Sequence, residues 1–299
     1  MGVASLPKRY IKPLEKRDKI GLKKDHVDVS ISVIDMSNLD EKEMETLICN
    51  AAEKWGFFEI INHGIPLKVL EDVKVATYCQ SQGTVKLHRT YILTLIFSLN
   101  VKDELLEYIK SSEVVTKHLV KVLMKGLKIH EINEKKESLL MGSKRINLNY
   151  YPKCPKPELA IGVGRHSDIS KLTILLQNDV GGLYVRGING ESWVHVPPIK
   201  GALIINVGDA LQILSNGKYK SVEHLVVGNG LRNRVSIPIF VGPTPNSIIA
   251  PLQDMLNEEE EHNKPIYKEV LYLDYVKHFH QKAHDGKATI EFAKISNTN

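Results

Sequence analysis

Apolar positions in the first part of the chain recur at helical spacing. Asp40 is placed to cap a helix running to about Trp55, with Met44, Leu47, Ile48, Ala51 and Ala52 along one stripe. Gly56 ends it as a glycine just past a helix C-terminus does. Residues 57–62 then read as a strand, His63-Gly64-Ile65-Pro66 as a turn, and 67–78 as a second helix. Between 79 and 102 the pattern is lost. Residues 91–99 form an apolar run with no polar alternation, of strand length and well short of the roughly 20 apolar residues a membrane span needs. Helical periodicity returns over 103–126 through Leu105, Leu106, Ile109, Leu119, Val122 and Leu123, and a looser helical segment covers 129–140. From 145 onward short apolar stretches alternate with Gly, Pro and Asn turns. Strands are expected at 145–151, 172–176, 183–185, 193–196, 202–207, 212–214, 222–226 and 234–241, and a closing helix at 267–284. Many short strands with turn signals between them predict a sandwich or barrel.

Composition changes this picture little. Hydrophobic residues make up 42% and charged residues 25%, ordinary values for a globular chain. The net charge of +5 is spread out, without an arginine-rich block; it argues for a small anionic substrate and against nucleic acid. Residues 1–30 are basic and unpatterned, an expected extended arm, and Glu258–Glu261 reads as an exposed acidic loop. The three cysteines, Cys49, Cys79 and Cys154, have no CxxC spacing and fit a reducing compartment. No apolar signal core follows Met1, and Leu6 does not fit a myristoylation pattern. A cytoplasmic protein, monomeric and not bound to membranes, is expected.

The chemistry concentrates at Gly164-Arg165-His166-Ser167-Asp168, His224 and Arg234-Val235-Ser236. In a strand, residues i and i+2 share a face, so His166 and Asp168 can reach one ion from a single strand or its end, with His224 arriving from a neighbour. Two histidines and a carboxylate on one side of an ion form the facial triad of non-haem Fe(II), with positions left open; a structural zinc site would close them. Arg234 alone reads as a surface strand arginine. Beside this triad, and with Ser236 on its face, it reads as a carboxylate clamp, because a guanidinium meets a carboxylate through two parallel bonds. Fe(II) with a dicarboxylate, 2-oxoglutarate, is the expected pair. A metal site inside many short strands selects a jelly roll. Phe240 falls on the Arg234 face of the same strand, placed either to stack on an aromatic substrate or to pack in the core. His278, His280 and His284 lie at near-helical spacing with no carboxylate in register and are expected as surface histidines.

Asn149-Tyr150-Tyr151-Pro152, Gly208-Asp209, and Leu214-Ser-Asn-Gly-Lys-Tyr-Lys-Ser221 resemble segments of the plant 2-oxoglutarate/Fe(II)-dependent dioxygenases. Val163–Asp168, Trp193-Val-His-Val-Pro-Pro198 and Lys282-Ala-His-Asp-Gly-Lys287 are similar, within that family, to the feruloyl-CoA and p-coumaroyl-CoA ortho-hydroxylases of coumarin biosynthesis. The resemblance covers roughly residues 6–78 and 103–295. It implies a core that is mainly β with flanking helices, a double-stranded β-helix behind a helical N-terminal region. It implies Fe(II) on His166, Asp168 and His224, 2-oxoglutarate near Arg234, Ser236, Tyr151 and Asn149, dioxygen as oxidant and ascorbate as reductant. The implied substrate is a small aromatic molecule, in the ortho-hydroxylases a hydroxycinnamoyl-CoA thioester leading to coumarins such as scopoletin. Another aromatic metabolite of the same family is the alternative. His63 corresponds to a structural turn. The expected regions are an N-terminal one over 1–102, a helical spine over 103–142, the jelly-roll core over 143–243 and a C-terminal helical closure over 244–299. The family carries a longer segment where this chain has 79–102, including a strand of the core sheet. A catalytically impaired relative is therefore a third expectation.

Overall fold

The computed structural model describes residues 30–83, 93–94, 102–129, 131–188, 190, 192–256, 264–281 and 288–295. In chain order these form β1 (Ser32–Asp35), α1 (Glu41–Lys54), β2 (Phe57–Ile61), α2 (Leu67–Gly83), β3 (Leu93–Thr94), α3 (Lys102–Gly126), α4 (Glu134–Met141), β4 (Ser143–Ile146), β5 (Asn149–Tyr151), β6 (Ile161–His166) and β7 (Leu172–Gln177). There follow β8 (Leu183–Arg186), β9 (Trp193–Val196), β10 (Leu203–Val207), α5 (Asp209–Leu214), β11 (His224–Val227), β12 (Arg234–Gly242), β13 (Ile248–Ile249), β14 (Val270–Leu271), α6 (Tyr272–Gln281) and α7 (Ala288–Glu291). The N-terminal arm, the acidic loop, His284 and the 282–287 motif lie outside the described residues.

The larger sheet runs β1-β2-β10-β7-β12-β5-β3, with β4 also on β12; the smaller runs β6-β11-β8-β9. Side chains from both meet in one cluster: Phe57, Tyr151, Leu175 and Ile204 from the larger, Leu183, Val185, Val196 and Val226 from the smaller. This is the expected jelly-roll core, two sheets face to face. Alternation along β10 shows how the layers divide. Leu203, Ile205 and Val207 join the cluster shared with the helices, while Ile204 faces the other sheet. A strand apolar on both faces is one buried on both faces. Each such leucine, isoleucine or phenylalanine contributes roughly 1.5–3 kcal/mol. Helices α1 and α3 pack beneath the larger sheet through Met44, Ile48, Leu119 and Leu123.

Asp40 caps α1 as expected, accepting from the Glu43 N–H at 2.8 Å while Glu43 reaches back to the cap N–H. Gly56 has φ +63, and a Cβ there would strike the Lys220 carbonyl, so the turn into β2 needs glycine. His63 makes the expected turn, its Nε2 2.9 Å from the Gly201 carbonyl.

Four expectations are corrected. The strand over 145–151 is two, β4 and β5, because Pro238 of β12 offers Asn147 a carbonyl but has no N–H to return. Residues 212–214 are helical, in α5. All six α5 residues are buried, and so short a segment enclosed on every side does not reveal its period. The closing helix starts only at Tyr272, since Tyr267 pairs with Lys294 and Val270–Leu271 with β13. The 129–140 helix is α4, which starts only after its Asn133 cap accepts from the Lys136 N–H. Among the described residues no helix is long and apolar enough to cross a membrane.

Candidate active site

β6 ends at His166 and β11 starts at His224. Antiparallel register sets these two residues opposite each other, with ring centroids 4.2 Å apart. Asp168, just past the end of β6, turns its carboxylate toward both. Its Oδ1 is 3.5 Å from Nε2 of His166 and 3.7 Å from Nε2 of His224. One ligand atom from each residue lies within 4.8 Å of the others, a spacing that one cation can bridge.

Surrounding groups fix what each ligand offers. Nδ1 of His166 is 2.8 Å from the Gly164 carbonyl, and Nδ1 of His224 is 3.2 Å from the Val222 carbonyl. A carbonyl only accepts, so each Nδ1 carries the proton and each Nε2 turns a lone pair to the cavity. Oδ2 of Asp168 accepts from Thr173 Oγ1 at 2.5 Å and from Asn206 Nδ2 at 2.7 Å, leaving Oδ1 for an ion. Burial pushes the Asp168 carboxyl up, but the charges of His224 and His166 and the Thr173 bond outweigh it and hold it well below the usual range. Burial, aided by His166, pushes His224 down to about 4. Burial pushes His166 down, but the Asp168 carboxylate and the Gly164 carbonyl outweigh it and raise it, so an ionised Asp168 and a neutral His224 are ready for a divalent ion and His166 gives up a proton on binding.

Asp209 ties the ligand segments together. Fully buried, it accepts from Ser167 Oγ at 3.2 Å, Ser221 Oγ at 2.6 Å and Tyr275 OH at 2.8 Å, and its N–H donates to the Asp168 carbonyl at 2.7 Å. One carboxylate thus joins the Asp168 turn, the approach to His224 and helix α6.

Arg234 is buried, its guanidinium 4.9 Å from the centre of the Tyr151 ring. Nη2 donates to Gln177 Oε1 at 3.0 Å, while Nε and Nη1 meet no hydrogen-bond partner among the described residues. Burial lowers its pKa and Tyr151 opposes that, but a guanidinium stays charged. An unpaired buried donor costs about 1–3 kcal/mol, more when charged. Two orphaned donors on one buried cation therefore fit an anion. Ser236 and Asn149 lie beside them, joined by a 3.4 Å bond from Nδ2 to Oγ.

All eight residues singled out from the sequence, His166, Asp168, His224, Arg234, Ser236, Tyr151, Asn149 and Phe240, line one cavity of about 590 Å³. Sequence reasoning missed Thr173, Asn206 and Gln177, which hold the ligands and the clamp, and Phe57, whose ring meets His224 edge-on at 5.2 Å. It also missed Arg145, stacked 4.6 Å over Phe240. Helix α6 closes one wall with Tyr272, Val276, Phe279 and His280. Of the expected surface histidines, His280 is exposed but borders this cavity, and His278 stacks on Phe292 at 4.5 Å.

Residues 143–243 match the profile of the 2OG-Fe(II) oxygenase superfamily, and 31–78 that of the non-haem dioxygenase in morphine synthesis N-terminal region. A feruloyl CoA ortho-hydroxylase of Ipomoea batatas is 51% identical over 335 positions, covering 99% of this chain and 92% of the relative. This chain belongs to the 2OG-Fe(II) oxygenase superfamily. A feruloyl CoA ortho-hydroxylase of Arabidopsis thaliana is 48% identical over 98% of this chain and 91% of its own. A bi-functional coumaroyl CoA and feruloyl CoA ortho-hydroxylase of Ipomoea batatas is 48% identical over 99% and 92%. The crystal structure of JOX2 in complex with 2OG, Fe and JA superposes with a TM-score of 0.82 at 29% identity, covering 98% of this chain and 95% of that one. The oxygenase is a dioxygenase that uses Fe(II) and 2-oxoglutarate, and the donor set above fits both.

Proposed function

We propose that this oxygenase hydroxylates a hydroxycinnamoyl-CoA thioester, feruloyl-CoA or p-coumaroyl-CoA, at the ring carbon beside the side chain, on the way to coumarins such as scopoletin. The observation that carries the substrate is the near-half identity, along almost the whole chain, to relatives named for this reaction. In this reading His166, Asp168 and His224 hold Fe(II). Arg234, with its orphaned Nε and Nη1, would hold the far carboxylate of 2-oxoglutarate, with Ser236, Tyr151 and Asn149 beside it. The bound iron, with 2-oxoglutarate and dioxygen, supplies the oxidising power, and 2-oxoglutarate leaves as succinate and carbon dioxide.

The protein's own part is positioning and exclusion of water. Thr173 and Asn206 keep Oδ2 of Asp168 occupied, so that the carboxylate binds through one oxygen. Gly164 and Val222 keep both histidine protons away from the metal side. Phe57 packs against His224 and shields it. Phe240 and Arg145, stacked 4.6 Å apart, both line the cavity, where an aromatic acyl group can pack against them.

The test is turnover of the purified full chain with Fe(II), ascorbate and 2-oxoglutarate. Feruloyl-CoA should drive succinate release and give an ortho-hydroxylated thioester that closes to a coumarin. Succinate released with another aromatic metabolite and with no hydroxycinnamoyl-CoA would move the substrate elsewhere in the family. A second reading, an impaired oxygenase, is favoured by one observation. The alignment with the Ipomoea batatas relative spans 335 positions, 36 more than the 299 residues present here. Turnover far below that relative's, with iron and 2-oxoglutarate bound normally, is the outcome it expects.

A further inference from the structure

We propose that Arg145 anchors the phosphate end of a coenzyme A thioester and sets the preference for CoA-bound over shorter acyl carriers. The inference rests on the substrate class proposed above. It starts from two antiparallel strand faces. Along β12, Arg234, Ser236, Pro238, Phe240 and Gly242 alternate into the cavity. Opposite them run Tyr151, Asn149, Asn147, Arg145 and Ser143, with Tyr151 beside Arg234 and Arg145 beside Phe240. The wall therefore has a cation near each end. Arg234 is buried among the groups placed for 2-oxoglutarate; Arg145 is exposed. Six residues separate the two rungs, about 20 Å at 3.3 Å per residue.

Arg145 has no carboxylate partner among the described residues, whereas the neighbouring Lys144 is paired with Glu113 at 3.0 Å. Its guanidinium lies 4.6 Å over the Phe240 ring, which holds the plane in place and leaves the N–H edges for a ligand. A fixed planar fork of donors is the side chain best matched to a phosphate. Size completes the case. A cavity of about 590 Å³ that also takes 2-oxoglutarate has room for an aromatic acyl group but not for a nucleotide. The diphosphate of such a substrate must lie where the wall reaches solvent, and Arg145 stands there.

The test compares feruloyl-CoA with feruloyl-pantetheine, the same thioester without the phosphates and the adenosine they carry, on the full-length wild-type enzyme and on Arg145→Gln. Wild type should prefer the CoA thioester in kcat/KM, and added salt should weaken that preference. Arg145→Gln should lower the CoA-to-pantetheine ratio about tenfold, the loss of one charge-assisted contact, with Arg145→Lys in between. An unchanged ratio in Arg145→Gln overturns the proposal, and so does a wild type that takes both thioesters equally. A loss that falls equally on both thioesters leaves the ratio unchanged and assigns Arg145 to the Phe240 wall alone. A wild type that turns over neither thioester, yet releases succinate with another aromatic compound, overturns the substrate reading itself.

Discussion

His166→Ala, Asp168→Ala or His224→Ala leaves two donor atoms where the geometry provides three within 4.8 Å of one another. Each variant should lose iron occupancy, read by metal analysis of the purified protein, together with turnover; normal occupancy and rate in any of them would refute the triad. Arg234→Lys keeps a charge but loses the fork, so the KM for 2-oxoglutarate should rise, by about tenfold for one lost charge-assisted bond, and by more than the KM for the aromatic substrate. An unchanged 2-oxoglutarate KM would place the clamp elsewhere. His166 with Asp168, and Arg234 with Ser236, were legible as i and i+2 pairs, and His224 as the distant histidine that completes the H-x-D…H pattern. Thr173, Asn206 and Gln177 were not. They reach Asp168 and Arg234 from β7 and β10, through strand pairings that no local spacing encodes.

At the scale of single elements, β2 holds an unusual carboxyl. Glu59 shares the face of Phe57, is 1% exposed, and has no partner for Oε1 among the described residues. Burial pushes it from 4.5 up to about 7. Between those values the unfolded chain releases a proton that the folded chain keeps. Stability is therefore highest below the lower value, falls as pH rises toward about 7 and is level beyond it. The drop is on the order of 3 kcal/mol at 1.36 kcal/mol per pH unit. Glu59→Gln should then be more stable than wild type at pH 8, with the gap closing as pH falls below 4.5, as followed by urea midpoints. A gap independent of pH would show that Glu59 is paired in solution. Where sequence and structure part at this scale, the cause is enclosure. Helix α1 declared itself by a cap and a stripe, whereas α5 is six residues long and buried throughout, so burial gives it no exposed face to mark a period.

For the molecule as a whole, the relatives' additional length matters most. The N-terminal family match stops at Tyr78, and α3 begins at Lys102. We propose that most of the missing residues belong between them. Among the described residues between them, Leu93 and Thr94 of the apolar run form β3, which pairs with Tyr150 and Asn149 of β5. Grafting a relative's longer segment between Tyr78 and Asp103 should raise soluble yield, the thermal midpoint and substrate-dependent succinate formation, since the family's segment brings a full strand of the core sheet. Equal stability and equal turnover would show the segment to be dispensable. Hydrophobic patterning predicted a β core, but not that β2, far away in sequence, would lie between β1 and β10. Long-range pairing is written in complementary faces, which one chain does not display in order.

The two strands that wall the cavity differ in their freedom to vary. β12 is committed on both sides: Val235, Ile237, Ile239 and Val241 belong to the core beneath the sheet, and the residues between them face the site. β4 is half-exposed or exposed throughout. A change in β12 that alters the pocket also disturbs the fold, while one at the exposed Arg145 loses a single stacking contact and disturbs it less. New substrate preferences in this lineage should therefore arise on β4, and a randomised library there should return more folded, altered-specificity clones than one on β12.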